Sequence, residues 1–132
     1  MSIAAYKRTI RESESPRQIE RRVFARVTSE LEKHSQDYDR ATAKGDRREI
    51  LAQGLSTHLH DNQKLWSAIK YDLSQPDNAM PPQLKAGLIS LALFVERQTG
   101  QVIGGGAGLG ALIQINQSVI AGLSGQAPGP QG

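Results

Sequence analysis

The chain has 132 residues, a net charge of +3 and no cysteine. One domain per roughly 100–200 residues is the usual scale, and the missing thiols exclude disulfides, thiolate metal sites and thiol catalysis. Aromatic content is only 5%, with Trp66 the single tryptophan, so the core must be aliphatic. The positive excess is far from the concentrated charge of a nucleic-acid binder. The absence of cysteine fits a cytoplasmic protein, and the opening residues Ser2 to Arg8 lack the apolar run of a secretory signal.

Residues 1–14 read as a short arm, with a helical turn or two around Ala4, Ala5, Tyr6 and Ile10. Ser15-Pro16-Arg17-Gln18 then has the chemistry of a helix start: a capping hydroxyl, a proline at the first helical position and a glutamine that reaches back. Phe24, Val27, Leu31, His34 and Tyr38 follow at spacings of 3 and 4, one side of a long helix, and Ile19 and Val23 widen that stripe. Gly45 is expected to end it as a left-handed cap. Asp46 to Glu49 repeats the capping-box spacing and opens a second helix. Its stripe is Leu51, Leu55, Leu59, Asn62, Trp66, Ile69 and Leu73, with Gly54 its soft spot.

Three prolines make the stretch from Gln75 to Pro82 a linker. A third helix starts near Pro82, and from Ala86 to Val95 it is apolar on nearly every face, as for a helix buried all round. Gly100 is expected to close it. From Gln98 to the end there is no charged residue, and ten of the thirteen glycines lie from Gly100 onward. Gly104 to Gly110 reads as a flexible hinge before a fourth helix, Leu109 to Leu123. No segment alternates with the period of a strand. The expected fold is all-α: a small antiparallel bundle of about four helices, near 15–44, 46–74, 82–99 and 109–123, in one domain over 1–123. A disordered Gly/Pro-rich tail would follow at 124–132.

Chemistry-bearing patterns are sparse. The glycine run lacks the Lys and Ser/Thr of a phosphate loop, and no strand precedes it. His58 and His60 are two apart and diverge on a helix, where zinc pairs sit four apart, so no metal or cofactor is expected. Arg17, Arg21, Arg22, Arg26, Arg47 and Arg48 are interleaved with Glu20, Glu30, Glu32, Asp37, Asp39 and Glu49. Such mixed charge makes a solvated face rather than a nucleic-acid grip. The small-residue spacing Gly104/Gly108 and Gly106/Gly110 suits packed membrane helices, but Gln114, Asn116 and Gln117 would then lie deep in lipid. No catalytic constellation stands out, so no enzyme and no small-molecule substrate are expected. Asn62 and Asn116 each fall within an apolar stripe, where an amide must find a partner.

The uncharged fourth helix has more apolar surface than a short terminal helix needs. Ile115, Asn116, Val119, Ile120 and Leu123 are therefore candidates for contact with a partner protein. The other reading is a plain core helix, and the residues leave both open.

Ala5-Tyr6-Lys7, Ser15-Pro16-Arg17-Gln18-Ile19-Glu20, Asn78-Ala79-Met80-Pro81, Leu88-Ile89-Ser90-Leu91-Ala92 with Val95, and Ile115-Asn116 with Ala121-Gly122-Leu123 together resemble the alphaproteobacterial flagellar protein FlaF. The resemblance covers nearly the whole chain to about Leu123. It implies a small cytoplasmic, non-enzymatic factor of flagellum biogenesis. Such a factor binds flagellin as a secretion chaperone and regulates flagellin production, working opposite a translational regulator of the FlbT type. The alternative function is direct RNA binding to control flagellin synthesis. The run Gly104 to Gly110 departs from the helix-forming residues expected there.

Overall fold

The computed structural model describes residues 16–123, with side chains from 21 to 122. The N-terminal arm, the Ser15 cap and the C-terminal tail lie outside the described residues. Those described are all-helical, with no strand: α1 (Pro16–Arg40), α2 (Lys44–Ile50), a kinked segment (Leu51–Leu55), α3 (Ser56–Leu73), α4 (Pro82–Ile103) and α5 (Leu109–Leu123). Taking α2 to α3 as one bent helix gives four.

The stripes predict the core well. Phe24, Leu31 and Tyr38 from α1 are buried together with Leu51, Leu55, Leu59 and Trp66, and with Val95 and Val102 from α4. From α5, Leu109, Leu112 and Ile113 complete the cluster, so α5 is a core helix. It packs chiefly on α1, and α4 packs chiefly on α3. Between α1 and α3, the Phe24 ring meets Trp66 edge-on at 5.7 Å, and Glu30 meets His58 at 3.4 Å. Between α1 and α5, Glu32 meets Gln117 and Asp39 meets Leu109 and Gly110. In both pairs the numbers run in opposite directions along the two helices.

Several boundaries differ from the sequence expectation, each for a physical reason. Gly45 does not cap α1: the helix ends at Arg40, and Arg47 reaches back from α2 to donate to the Ala41 carbonyl at 2.7 Å. Asp46 forms no capping box, because α2 starts one turn earlier after Ala43, which offers no side-chain cap. Gly54 does break the second helix, with φ at +120° and Gln53 beside it out of helical geometry. An L side chain resists that backbone conformation.

Gly100 lies inside α4, which continues to Ile103. The extra turn buries Val102 completely and presents its carbonyl to the Tyr38 hydroxyl. That gain outweighs the roughly 1 kcal/mol a helical glycine costs. The expectation that α4 is buried all round is also corrected. Leu84, Leu91 and Leu93 are exposed by 54%, 36% and 49%.

Candidate functional site

The two ends of the helix assembly are built differently. At one end, the glycine run is a pinned turn rather than a loose hinge. The Tyr38 hydroxyl lies 2.8 Å from the Val102 carbonyl and 2.6 Å from that of Gly106, and its one proton can serve either. The Arg47 Nε donates to the Gly105 carbonyl at 2.7 Å. The Asp39 carboxylate accepts from the Leu109 and Gly110 amides at 3.2 and 3.0 Å, capping the N-terminus of α5, where a negative charge is favoured. The glycines fit this geometry. Gly105 and Gly108 have φ of +93° and +110°, and a Cβ on Gly106 would stand 2.8 Å from the Gln101 carbonyl oxygen. Burial pushes the Tyr38 phenol up from its ordinary 10.0, with Arg47 opposing and Asp39 assisting.

At mid-height, a buried polar chain crosses from α3 to α5. The Trp66 Nε1 donates to the Asn116 Oδ1 at 2.9 Å, and the Asn116 Nδ2 donates to the Asn62 Oδ1 at 2.7 Å. Both asparagines are 0% exposed, and the Asn62 Nδ2 has no partner. These groups fix the register of the two helices, which apolar contacts alone leave free to slide.

The other end is open. An apolar groove of about 470 Å³ is lined by Phe24, Trp66, Ile69, Leu73, Met80, Leu88 and Val119, among others. Among the described residues, Asp72 is the one charged residue on its wall. The groove exists because the apolar stripe of α4 outruns the core. At about 100° per residue, Leu84, Leu88, Leu91, Val95 and Val102 lie on one face. Val95 and Val102 are covered, while Leu88 is half-buried and Leu84 and Leu91, a turn to either side, are exposed. Met80 is placed by Asn78, whose Oδ1 accepts the Met80 amide at 3.0 Å and whose Nδ2 donates to the Asp72 carbonyl and carboxylate. Lys85 closes the linker onto the Asn78 carbonyl.

The structure distributes the partner-contact residues named from the sequence. Val119 lines the groove. Ile115 and Ile120 are half-buried and pack on the core. Asn116 is a correction: wholly buried and bonded on both sides of its amide, it presents nothing to a partner. The side chain of Leu123 lies outside those described.

Sequence reasoning missed Leu84, Leu88 and Met80. The 4,3 spacing of Leu84, Leu88 and Leu91 was the available signal, hidden by the apolar residues on the other faces of α4. Asp39 and Arg47 gave no signal, since their partners are 58 to 71 residues away in sequence.

A second depression, between α1 and α3, is lined by Val23, Arg26, Val27, Glu30, His58, Asp61, Lys64 and Leu65. Here Glu30 pairs with Lys33 at 2.9 Å, and that bond holds its carboxyl below the ordinary range. The His34 and His58 rings lie 6.0 Å apart. Among the described residues, no three His, Asp or Glu side chains are grouped to hold a metal, and no helix is long and apolar enough to cross a membrane.

Comparison with curated proteins and with solved structures returns no match. The family model described as flagellar protein FlaF matches residues 2–123. That span takes in the pinned turn, the buried amide chain and every residue of the groove, so the chain belongs to the FlaF family of flagellar proteins.

Proposed function

We propose that this flagellar protein is a non-catalytic, cytoplasmic factor that binds flagellin through the open apolar groove. In this role it acts as a secretion chaperone and thereby regulates flagellin production and filament assembly. The observation that carries the reading is the uncovered half of the α4 stripe, Leu84, Leu88 and Leu91, beside a groove floored by Trp66 and Val119. Flagellin's terminal helices are amphipathic and polymerise when their apolar faces meet. A groove of this kind covers such a face by helix-in-groove packing, with anchors at one-turn intervals. Leu84, Leu88 and Leu91 are already about half covered, so covering the rest supplies roughly 2–4 kcal/mol from this side of the contact before the costs of association. Val119 is the residue of α5 that belongs to this contact. A functional link to a FlbT-type regulator follows if free and flagellin-loaded forms present different surfaces.

Titrating purified flagellin into the protein at rising salt tests the reading. Apolar helix packing gives binding that holds or strengthens with salt, and Leu84→Glu weakens it while leaving the melting temperature in place. If instead the protein ignores flagellin and binds flagellin leader RNA with a steep salt dependence, it is an RNA-binding regulator and the chaperone reading is wrong.

A further inference from the structure

The outer side of α4 carries an apolar face separate from the groove. Residues 86–95 hold no charge, yet only Ala92 and Val95 among them are buried. At about 100° per residue, Ala86, Ile89 and Leu93 share one side of the helix, roughly opposite Val95 and Val102. Ala86 and Leu93 are exposed, Leu93 by 49%, and Ile89 is half-buried. A helix face turned to water normally carries charge instead.

We propose that two copies of the chain meet on this face, α4 against α4 in opposite directions, about a two-fold axis level with Leu91. The pairing rests on the outer face alone and does not depend on the function proposed above.

The order of charges along α4 points to a second copy as the occupant. Lys85 and Glu96 lie on the same edge of the apolar face, one at each end. When Ile89 lies over Leu93 of the second copy, Lys85 comes within one residue of the level of Glu96 of that copy, and the symmetry makes the contact twice. Both side chains are already placed along this edge. The Lys85 Nζ donates to the Asn78 carbonyl at 3.0 Å, and Glu96 pairs with Lys70 at 3.3 Å. Each keeps spare capacity, since an ammonium has three donors and a carboxylate two oxygens. Arg97 falls on the opposite edge, near Gln83 of the second copy, so no like charges meet. A parallel pair would set Lys85 against Lys85 and Glu96 against Glu96, which is repulsive.

An exposed ion pair adds little affinity, so its part here is to fix direction. One helix pair covers less than the ~800 Å² per partner of a standard interface. The dimer therefore forms and parts with concentration and is not permanent.

Sedimentation equilibrium of the full chain from about 1 µM to about 1 mM, the range suited to a small interface, should show monomer passing to dimer. Leu93→Asp should weaken the dimer at least about 10-fold with helicity unchanged, as an exposed site allows. Lys85→Glu should weaken it too, and adding Glu96→Lys should restore the parent affinity to within about 3-fold. A monomer throughout, a dimer indifferent to Leu93→Asp, or a double exchange that recovers nothing overturns the proposal.

Because the chain has no cysteine, single thiols report the direction of pairing. Ser90→Cys stands one residue from the axis, which puts the two thiols about 3 Å apart in level, whereas Gln83→Cys puts them about 24 Å apart. A short bismaleimide should join two copies through position 90 and not through position 83. Equal joining at both would mean a parallel pair, and joining at neither would mean that no second copy occupies the face; each result overturns the proposal. Both positions are exposed, so this test stands even if Leu93→Asp fails to fold.

Discussion

Replacing Asn116 and Asn62 separately by alanine isolates the value of the buried amide chain. Both side chains are 0% exposed and equal in size, so the cavity terms nearly cancel in the comparison. The hydrogen-bond terms do not. Asn116→Ala strips the Trp66 Nε1 of its acceptor and the Asn62 Oδ1 of its donor, leaving two newly unsatisfied groups in the core. Asn62→Ala leaves one, the Asn116 Nδ2, and removes another, because the Asn62 Nδ2 is already without a partner. The difference is two buried polar groups at about 1–3 kcal/mol each. Water entering the truncated site lowers the sum, so Asn116→Ala should be the less stable variant by about 2–4 kcal/mol. For a domain near a hundred residues that lowers the melting temperature by about 10–20 °C. Thermal unfolding followed by circular dichroism, with Trp66 fluorescence as a second probe, measures it. Equal melting temperatures, or a larger loss in Asn62→Ala, would refute the reasoning.

The pinned turn and the α4 stripe give further expectations. Gly108→Ala forces φ of +110° on an L residue and drives its Cβ into the Gln98 amide, so it should cost about 1–3 kcal/mol in denaturant titration. A variant as stable as the parent would mean that the turn is loose. Tyr38 is held neutral by burial, and its folded pKa is raised above 10.0. Its contribution is therefore complete below pH 10 and is lost as pH rises through the folded value. The melting temperature should fall in that alkaline range, and less steeply in Tyr38→Phe; identical alkaline profiles would remove Tyr38 from the account. Leu91→Asp should leave the fold within about 1 kcal/mol of the parent, as an exposed site allows. Ile69 is partly buried and packs against the buried core, so Ile69→Asp sets a charge against apolar neighbours and should unfold much of the domain. Circular dichroism of both variants checks the pair, and the reverse order would mean the stripes are misassigned.

How much of this was legible in the sequence follows from the range of each interaction. The seven-position stripe from Leu51 to Leu73 was readable because helical burial repeats every 3 or 4 residues. Gly54 was readable as a break because its cost is local. Gly100 and Gly104 to Gly110 were misread because a glycine signals permissiveness, not outcome. Whether a run of glycines hinges or locks depends on Tyr38, Asp39 and Arg47, distant in sequence. Within the candidate site, Val119 was legible as an apolar position and Asn116 as a polar one among apolar neighbours. Which of the two faces the core and which faces the groove is set by Trp66 on another helix. The open groove itself was hidden, because from Ala86 to Val95 α4 is apolar on nearly every face and only tertiary packing decides which of its leucines stay uncovered.

Hydrogen exchange of the amides, with and without bound flagellin, tests the central claim most directly. The groove account predicts added protection confined to residues 65–73, 78–91 and the last turns of α5, with the pinned turn at 104–110 unchanged. Flagellin binding that protects the turn end or the α1–α3 depression around Glu30 and His58, and leaves the groove as exposed as before, would contradict it.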